Sequence, residues 1–465
     1  MPSLFPLPLL DALRQAPGAP AFEHAGRIVS RAELLDLVTR LSVAFRDTGL
    51  GPGSGLAMRT SVTPEAFAAY VAAFAVGCRV VAVRPGYPPA QLAHVLDSGV
   101  EFTLTDEVLG DLLGRGGGGK LVVTARPEDV AALVFTSGST GRPKGCAITY
   151  RALSEHWAWQ PERWGPVAAE LAAGFGRCLL FGTLASMVVL EFLAPCLLGG
   201  GTAVIPDDDG RPLFPHAIER HRITGSIITV PRLGMMLDHL AAGRADVSSL
   251  RALMISGSPL APARLAEAAA RLGPVTYQGY GQTEAGNVAM LTPDDVSRGL
   301  LDSVGRPHPG VELDVRGGEI HVRSPYLMSG YWGQEEETGL VLRDGWLATR
   351  DLGFVDAAGY LYLTGRSRDV AMVNAMVVYL GPVERVLAGH PGVLEAYVVG
   401  APDGLTGEAV HAFVVPAGPV DEDALRGLVR AELGADSVPR TITVVPAVPM
   451  AESGKPDKRA LLRLL

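Results

Sequence analysis

The densest chemistry in the sequence lies in residues 136–145, which read Thr-Ser-Gly-Ser-Thr-Gly-Arg-Pro-Lys-Gly directly after the apolar run 131–135. Four hydroxyls, three glycines and two cations in ten residues make a loop whose backbone N–H groups and hydroxyls can wrap a polyphosphate, with Arg142 and Lys144 neutralising it. It is not the ordinary P-loop. That motif needs Gly before the lysine and Ser or Thr after it, whereas Pro143 and Gly145 flank Lys144. A Gly- and Ser-rich turn by itself is most often only a turn, so the loop gains meaning only together with segments downstream in the chain.

Four segments succeed one another in an order that resembles the adenylate-forming superfamily of acyl- and aryl-CoA synthetases, nonribosomal peptide adenylation domains and luciferases. They are the loop at 136–145, Gln-Gly-Tyr-Gly-Gln-Thr-Glu at 278–284, Trp-Leu-Ala-Thr-Arg-Asp-Leu-Gly at 346–353 with Gly365 and Arg366, and Ser-Gly-Lys-Pro-Asp-Lys at 453–458. The resemblance implies that ATP contacts Thr136, Ser137, Gly138, Ser139, Thr140, Gly141 and Lys144, and also Gly257, Ser258, Gly279 and Gly281. Tyr280 would pack on adenine, Thr283 contact the α-phosphate, and Glu284 hold Mg²⁺ through a hard carboxylate oxygen. Asp351 would accept both ribose hydroxyls, and Arg366 would add a donor to the sugar or a phosphate. Lys455 would bridge the reacting carboxylate and the α-phosphate, leaving Lys455, Thr283 and Lys144 as the catalytic set. The stretch 305–332, ending in a Gly-Tyr-Trp turn, and the turn at 84–89 (Arg-Pro-Gly-Tyr-Pro-Pro) resemble scaffold segments with no reactive role.

The implied activity is attack of a small carboxylic acid on MgATP, giving acyl-AMP and pyrophosphate, then transfer to an acceptor. CoA, a phosphopantetheinylated carrier protein and an amine all stand open as acceptor. The alternative is a catalytically silent nucleotide-binding homologue serving as sensor or scaffold, though such a protein has no chemical need for Lys455. Relatives swing a small C-terminal domain between the half-reactions, and Arg368 occupies the hinge position. Two departures from the family pattern bear on specificity. Ala375 and Val377 stand where CoA users carry a Gly-rich turn and an Arg, and Ala375 adds a Cβ where a pantetheine must pass. Gly182 and Thr183 stand where CoA synthetases carry His and α-amino-acid activators carry Asp, which disfavours ordinary α-amino acids. The residues expected near the acid are Phe181, Gly182, Met187, Ser256, Gly279 and Asn287.

These residues need elements to hold them. Apolar runs at 79–83, 120–123, 131–135, 202–205 and 226–230 read as short buried strands, and the amphipathic stretches 32–45 and 261–272 as helices. That alternation predicts an α/β fold with largely parallel, doubly covered sheets. From about residue 300 to 366 closely spaced short strands predict an antiparallel, barrel-like unit, and the tail returns to mixed helix and strand. Together with the resemblance this gives a core of two α/β subdomains plus the barrel-like part over 1–366, a hinge near 367–369, and a mobile α+β lid over 369–465.

Composition narrows the partners. The 465 residues, 48% apolar, carry 40 Lys and Arg against 49 Asp and Glu, for a net charge of −9; no basic block exists to track nucleic acid. Cys78, Cys146, Cys178 and Cys196 form no CxxC pair and read as reduced core residues. The opening residues lack a secretory pattern. The most hydrophobic window, 179–201, contains Glu191 and Pro195 and reads as buried core, not a membrane span. A cytoplasmic, biosynthetic ligase is the resulting expectation, with oligomeric state open.

Overall fold

The computed structural model describes residues 2–115, 118–136, 143–243, 245–367, 369–374, 376–403, 405–451 and 455–465. Residues 137–142 of the proposed phosphate loop, the hinge candidate Arg368, and Ala375, Ser453 and Gly454 lie outside the described residues.

Two large sheets form the body. One runs in the order Arg306–Pro307, Gly286–Leu291, Thr276–Gln282, Ala252–Ser256, Gly225–Thr229, Arg177–Leu179, Thr202–Ile205, Pro20–His24, Arg27–Ser30. Its central strands are parallel and both rims are antiparallel. The second runs Gly330–Tyr331, Lys144–Thr149, Val130–Thr136, Arg79–Ala82, Gly55–Arg59, Phe102–Thr105, with its last four strands parallel. Parallel strands need helical crossovers that cover both faces, which explains why central strands such as Ala252–Ser256 are apolar nearly throughout.

The helices start where local chemistry dictates. Ser30 and Glu33 form a reciprocal capping box on helix Arg31–Asp47. Thr63 caps Pro64–Ala75, in which every residue but Glu65 is buried. Helix Met187–Leu198 is the core of the most hydrophobic window and is buried from Leu190 to Leu197; no helix among the described residues is long and apolar enough to cross a membrane.

The strand expected at 120–123 is not formed. Leu121 and Val123 pack against the core from an irregular segment, while Val122 is exposed. Thr124 instead ties the chain to the end of the buried helix, donating from its N–H to Ala75 O (2.8 Å) and from its hydroxyl to Val76 O (2.8 Å). Those bonds satisfy the backbone without a neighbouring strand.

A third, antiparallel sheet pairs Glu312–Arg316, Glu319–Arg323, Trp346–Val355, Leu342–Arg343 and Leu361–Arg366. A fourth, built from Met376–Tyr379, Val370–Val373, Gly407–Pro416, Val393–Asp403 and Thr441–Val444, buries its own apolar cluster beneath helices Leu380–Ala388 and Glu422–Leu433. The four cysteines are buried and unpaired.

Candidate functional site

The site is organised by the hairpin of Thr276–Gln282 and Gly286–Leu291, with Thr283 and Glu284 at its turn. Gly281 allows this turn to close: a Cβ there would lie 2.2 Å from Gly286 O, a separation no side chain can occupy. Gly279 is similarly confined, since a Cβ would meet Met254 Sδ at 3.2 Å and the Asn287 amide at 3.3 Å. Asn287 is buried and, with its amide nitrogen toward the strand, donates to the carbonyls of Tyr280 (2.9 Å) and Ala289 (3.1 Å).

Tyr280 is itself buried, and its hydroxyl donates to Asp351 Oδ2 at 2.7 Å. Asp351 and Arg366 face each other across adjacent antiparallel strands, so the Arg366 Nε–H donates to Asp351 Oδ1, also at 2.7 Å. Each carboxylate oxygen keeps acceptor capacity beyond its single bond, enough for a ribose diol. Burial, then the Asp351 carboxylate, push the Tyr280 phenol well above its ordinary pKa, which keeps it a neutral donor.

Glu284 Oε1 accepts from the Tyr331 hydroxyl at 2.9 Å. The Tyr331 ring lies 5.1 Å from Lys144 Nζ in a cation–π contact, and Lys144, itself buried, forms an ion pair with Glu337. The polyphosphate cation expected from the sequence is thus already paired. Thr136 and Lys144 are cross-strand neighbours, and His94 Nε2 lies 3.0 Å from Pro143 O. Glu284 suits magnesium: a single hard carboxylate, linked through Tyr331 to Lys144, matches an ion that is held partly by substrate phosphates and keeps its waters. Among the described residues no three His, Cys, Asp or Glu side chains are placed to hold a metal ion together.

Lys455 reaches this same place. It is exposed, yet the surrounding protein desolvates its ammonium and lowers its pKa; Arg366 and Arg84 act in the same direction, while Glu284 and Asp351 oppose them. The charges of one lysine, two arginines and two carboxylates therefore act on one another, although they derive from separate regions of the chain. Next to it, Lys458 bonds Asp369 Oδ2 (2.5 Å) and Glu384 Oε1 (2.8 Å), fixing the base of the Lys455 segment.

The remaining expected residues divide. Ser256 ends its strand beside Gly257 (φ +99°) and Ser258, whose buried hydroxyl has no hydrogen-bond partner among the described residues. Phe181 and Gly182 line an open cleft with Pro206, Asp208 and Arg220, Phe181 packing edge-on against Phe214. Met187 packs instead beside Phe5, Tyr70 and Trp159. Sequence reasoning missed Tyr331, Glu337 and Arg84. Tyr331 and Arg84 belong to segments read as scaffold, and only the Gly-Tyr-Trp turn and the Arg before Pro-Gly-Tyr marked them.

Residues 9–116 and 115–332 match the AMP-binding enzyme family, and residues 382–455 match the AMP-binding enzyme C-terminal domain. The structure is similar to that of the amide bond synthetase McbA from Marinactinospora thermotolerans, with a TM-score of 0.83 and 34% identity over 98% of this chain and 99% of that one. It is also similar to o-succinylbenzoate CoA synthetase from Bacillus subtilis in complex with its acyl-adenylate intermediate, with a TM-score of 0.80 and 26% identity over 99% and 98% of the two chains. Among curated sequences, feruloyl-CoA synthase from an Amycolatopsis species is 32% identical over 95% of each chain.

Proposed function

Because the chain belongs to the adenylate-forming superfamily of AMP-binding enzymes, and so is an acid-activating, AMP-forming ligase, we propose that it converts a small carboxylic acid to acyl-AMP and passes the acyl group to an amine. The observation that carries the reading is the convergence of Lys455, Arg366 and Arg84 with Glu284 and Asp351. In the first step a carboxylate oxygen of the acid bonds to the α-phosphorus of ATP as the bond to pyrophosphate breaks. Negative charge is drawn together there, and Lys455 is a compact cation on a flexible stem that can contact both groups. Thr283 donates to the α-phosphate, Asp351 and Arg366 fix the ribose, and Tyr280, braced by Asp351, forms the adenine platform. Lys144 exchanges Glu337 for phosphate when ATP binds. Magnesium held by Glu284 would neutralise phosphate charge. A carboxylate nucleophile needs no general base.

In the second step the amine nitrogen bonds to the acyl carbon, AMP leaves, and the nitrogen releases a proton. Val377 and its neighbour Met376 are strongly exposed and apolar where a CoA phosphate would need a cation, which supports an amine over CoA, as does the likeness to an amide bond synthetase. We place the boundary between the core and the swinging unit at Arg368. Its neighbour Ser367 donates to Arg350 O at 2.9 Å on the core side, and Asp369 binds Lys458 on the other.

Pyrophosphate release from MgATP, screened over a panel of acids with and without amines and CoA, tests this. Amide product with AMP and pyrophosphate is expected. ADP and orthophosphate as the nucleotide-derived products would defeat the adenylation step, and thioester without amide would defeat the acceptor.

A further inference from the structure

Helix Met187–Leu198 carries a buried carboxyl group that the reaction above does not use. Glu191 is 7% exposed, and its Oε1 has no hydrogen-bond partner among the described residues. Pro195, one turn later, has no N–H to offer the Glu191 carbonyl. Facing Oε1 at 3.6 Å is Nε2 of the buried His156. The Ala158 N–H donates to His156 Nδ1 (3.3 Å), which makes Nδ1 the acceptor and leaves the proton of the neutral ring on Nε2. The Trp157 indole N–H is also buried without a partner, and it lies close enough to favour the charged form of Glu191.

One acceptor and two donors thus converge without satisfying each other. An orphaned buried polar atom is costly, and two of them, Glu191 Oε1 and the Trp157 indole N–H, lie here beside His156 Nε2 and point to a missing group. A hydroxyl is the small group that satisfies all three: its oxygen accepts from Nε2–H and Nε1–H, and its proton goes to Oε1. Aromatic rings pack around the cluster, with Tyr326 4.6 Å from the His156 ring and His308 stacked on Trp157 at 5.0 Å. The cluster lies directly behind the Glu284 turn. A Cβ on Gly286 (φ +66°) would lie 3.1 Å from His156 Nε2, and Tyr326 donates to Asn287 O (3.3 Å).

We propose that Glu191, His156 and Trp157 form the far end of the acid pocket and recognise a hydroxyl group on an aromatic carboxylic acid. The assignment rests on the acid-activation reading and deepens it. Paired acids differing by one hydroxyl, para-hydroxycinnamic against cinnamic and meta- and para-hydroxybenzoic against benzoic, are compared by kcat/KM for pyrophosphate release and separately by calorimetric binding. The wild-type protein should favour a hydroxylated member by about tenfold or more, because a site built around a hydroxyl leaves its polar groups unpaired with the analogue lacking it. Glu191→Leu should erase the ratio while still using the unhydroxylated acid, and Glu191→Gln, which keeps an acceptor oxygen, should retain part of it; Glu191→Met is read like leucine if that variant does not fold. Equal values within every pair would show that the space holds only an internal water and would overturn the proposal. Binding of none of the acids, or an unchanged ratio in Glu191→Leu, would do the same. Preferential binding without pyrophosphate release would keep the pocket and defeat the adenylation reading, whereas release from acids with no hydroxyl preference would do the reverse.

Discussion

At the scale of single residues, Lys455 does the most to separate an adenylating enzyme from a nucleotide binder. It lies on a surface segment and its contacts are electrostatic, so Lys455→Ala should leave folding and ATP affinity nearly unchanged. Pyrophosphate release should fall by roughly two to three orders of magnitude, as for removal of one transition-state donor. Its ammonium pKa is lowered by burial and then by Arg366 and Arg84; wild-type activity should therefore decline on the alkaline side earlier than an ordinary lysine would dictate. Lys455→Arg should shift that limb upward in a pH–rate profile. Asp351 makes a different prediction, because it supports structure as well as binding. Asp351→Ala leaves the Tyr280 hydroxyl buried without its acceptor and Arg366 unpaired, so urea unfolding should show a loss of about 1–3 kcal/mol together with a raised KM for ATP.

Among the elements, the contact of helix Met187–Leu198 with the turn Trp157–Trp159 controls how stability responds to pH. Burial raises Glu191 to about 8, with the Trp157 N–H opposing it, and lowers His156 to about 3 and His308 to about 4. Tyr326, the remaining titratable neighbour, stays neutral because burial and then Glu191 raise its phenol. The folded protein keeps a proton on Glu191 that the unfolded chain releases, so that contribution is complete below the ordinary carboxylate value of 4.5 and disappears as pH rises toward 8. The histidines act oppositely: neutral in the fold, they support it above their ordinary 6.5 and less as pH falls. The unfolded histidines still lose protons just above 6.5, so Glu191 dominates this group only from roughly one unit above that value up to 8. Denaturation midpoints should fall across that window in the wild type and stay level, from this group, in Glu191→Gln.

Across the full chain, the C-terminal sheet is joined to the body by a buried ion pair. Arg264, on helix Pro262–Leu272, donates from Nε to Glu395 Oε1 at 3.1 Å and also meets Glu267 (3.1 Å). Arg264 and Glu395 are both buried, and truncating Glu395 removes the carboxylate that ties Arg264 to the C-terminal sheet while Glu267 and Asp238 stay with it on the body. Glu395→Ala should loosen the C-terminal unit from the arrangement that holds Lys455 over Asp351. The expected result is faster proteolytic cleavage near residues 367–369 and slower pyrophosphate release. Conversion of supplied acyl-AMP with amine, which does not need Lys455 in place, should be affected less; equal loss in both half-reactions would argue against a swinging unit.

Contiguous signals were legible along the chain. The apolar runs that became parallel strands, the Gly-rich loop, the 278–284 turn, the Asp351 and Arg366 pair and the terminal lysine all announce themselves within a few neighbouring residues, where hydrophobic period and local turn chemistry act. The run at 120–123 had the same local signal and formed no strand, because its backbone bonds went to the end of helix Pro64–Ala75. Which distant groups meet depended on packing alone. Lys144 faces Glu337, 193 positions away, and Tyr331 reaches back to Glu284 across 47. Arg84 approaches Lys455, and His156 meets Glu191 across two helical segments. Residue type sets what each of these side chains can donate, accept or charge. Their burial and their partners, which set pKa and leave some polar groups unsatisfied, exist only once the sheets have brought separate stretches of chain together.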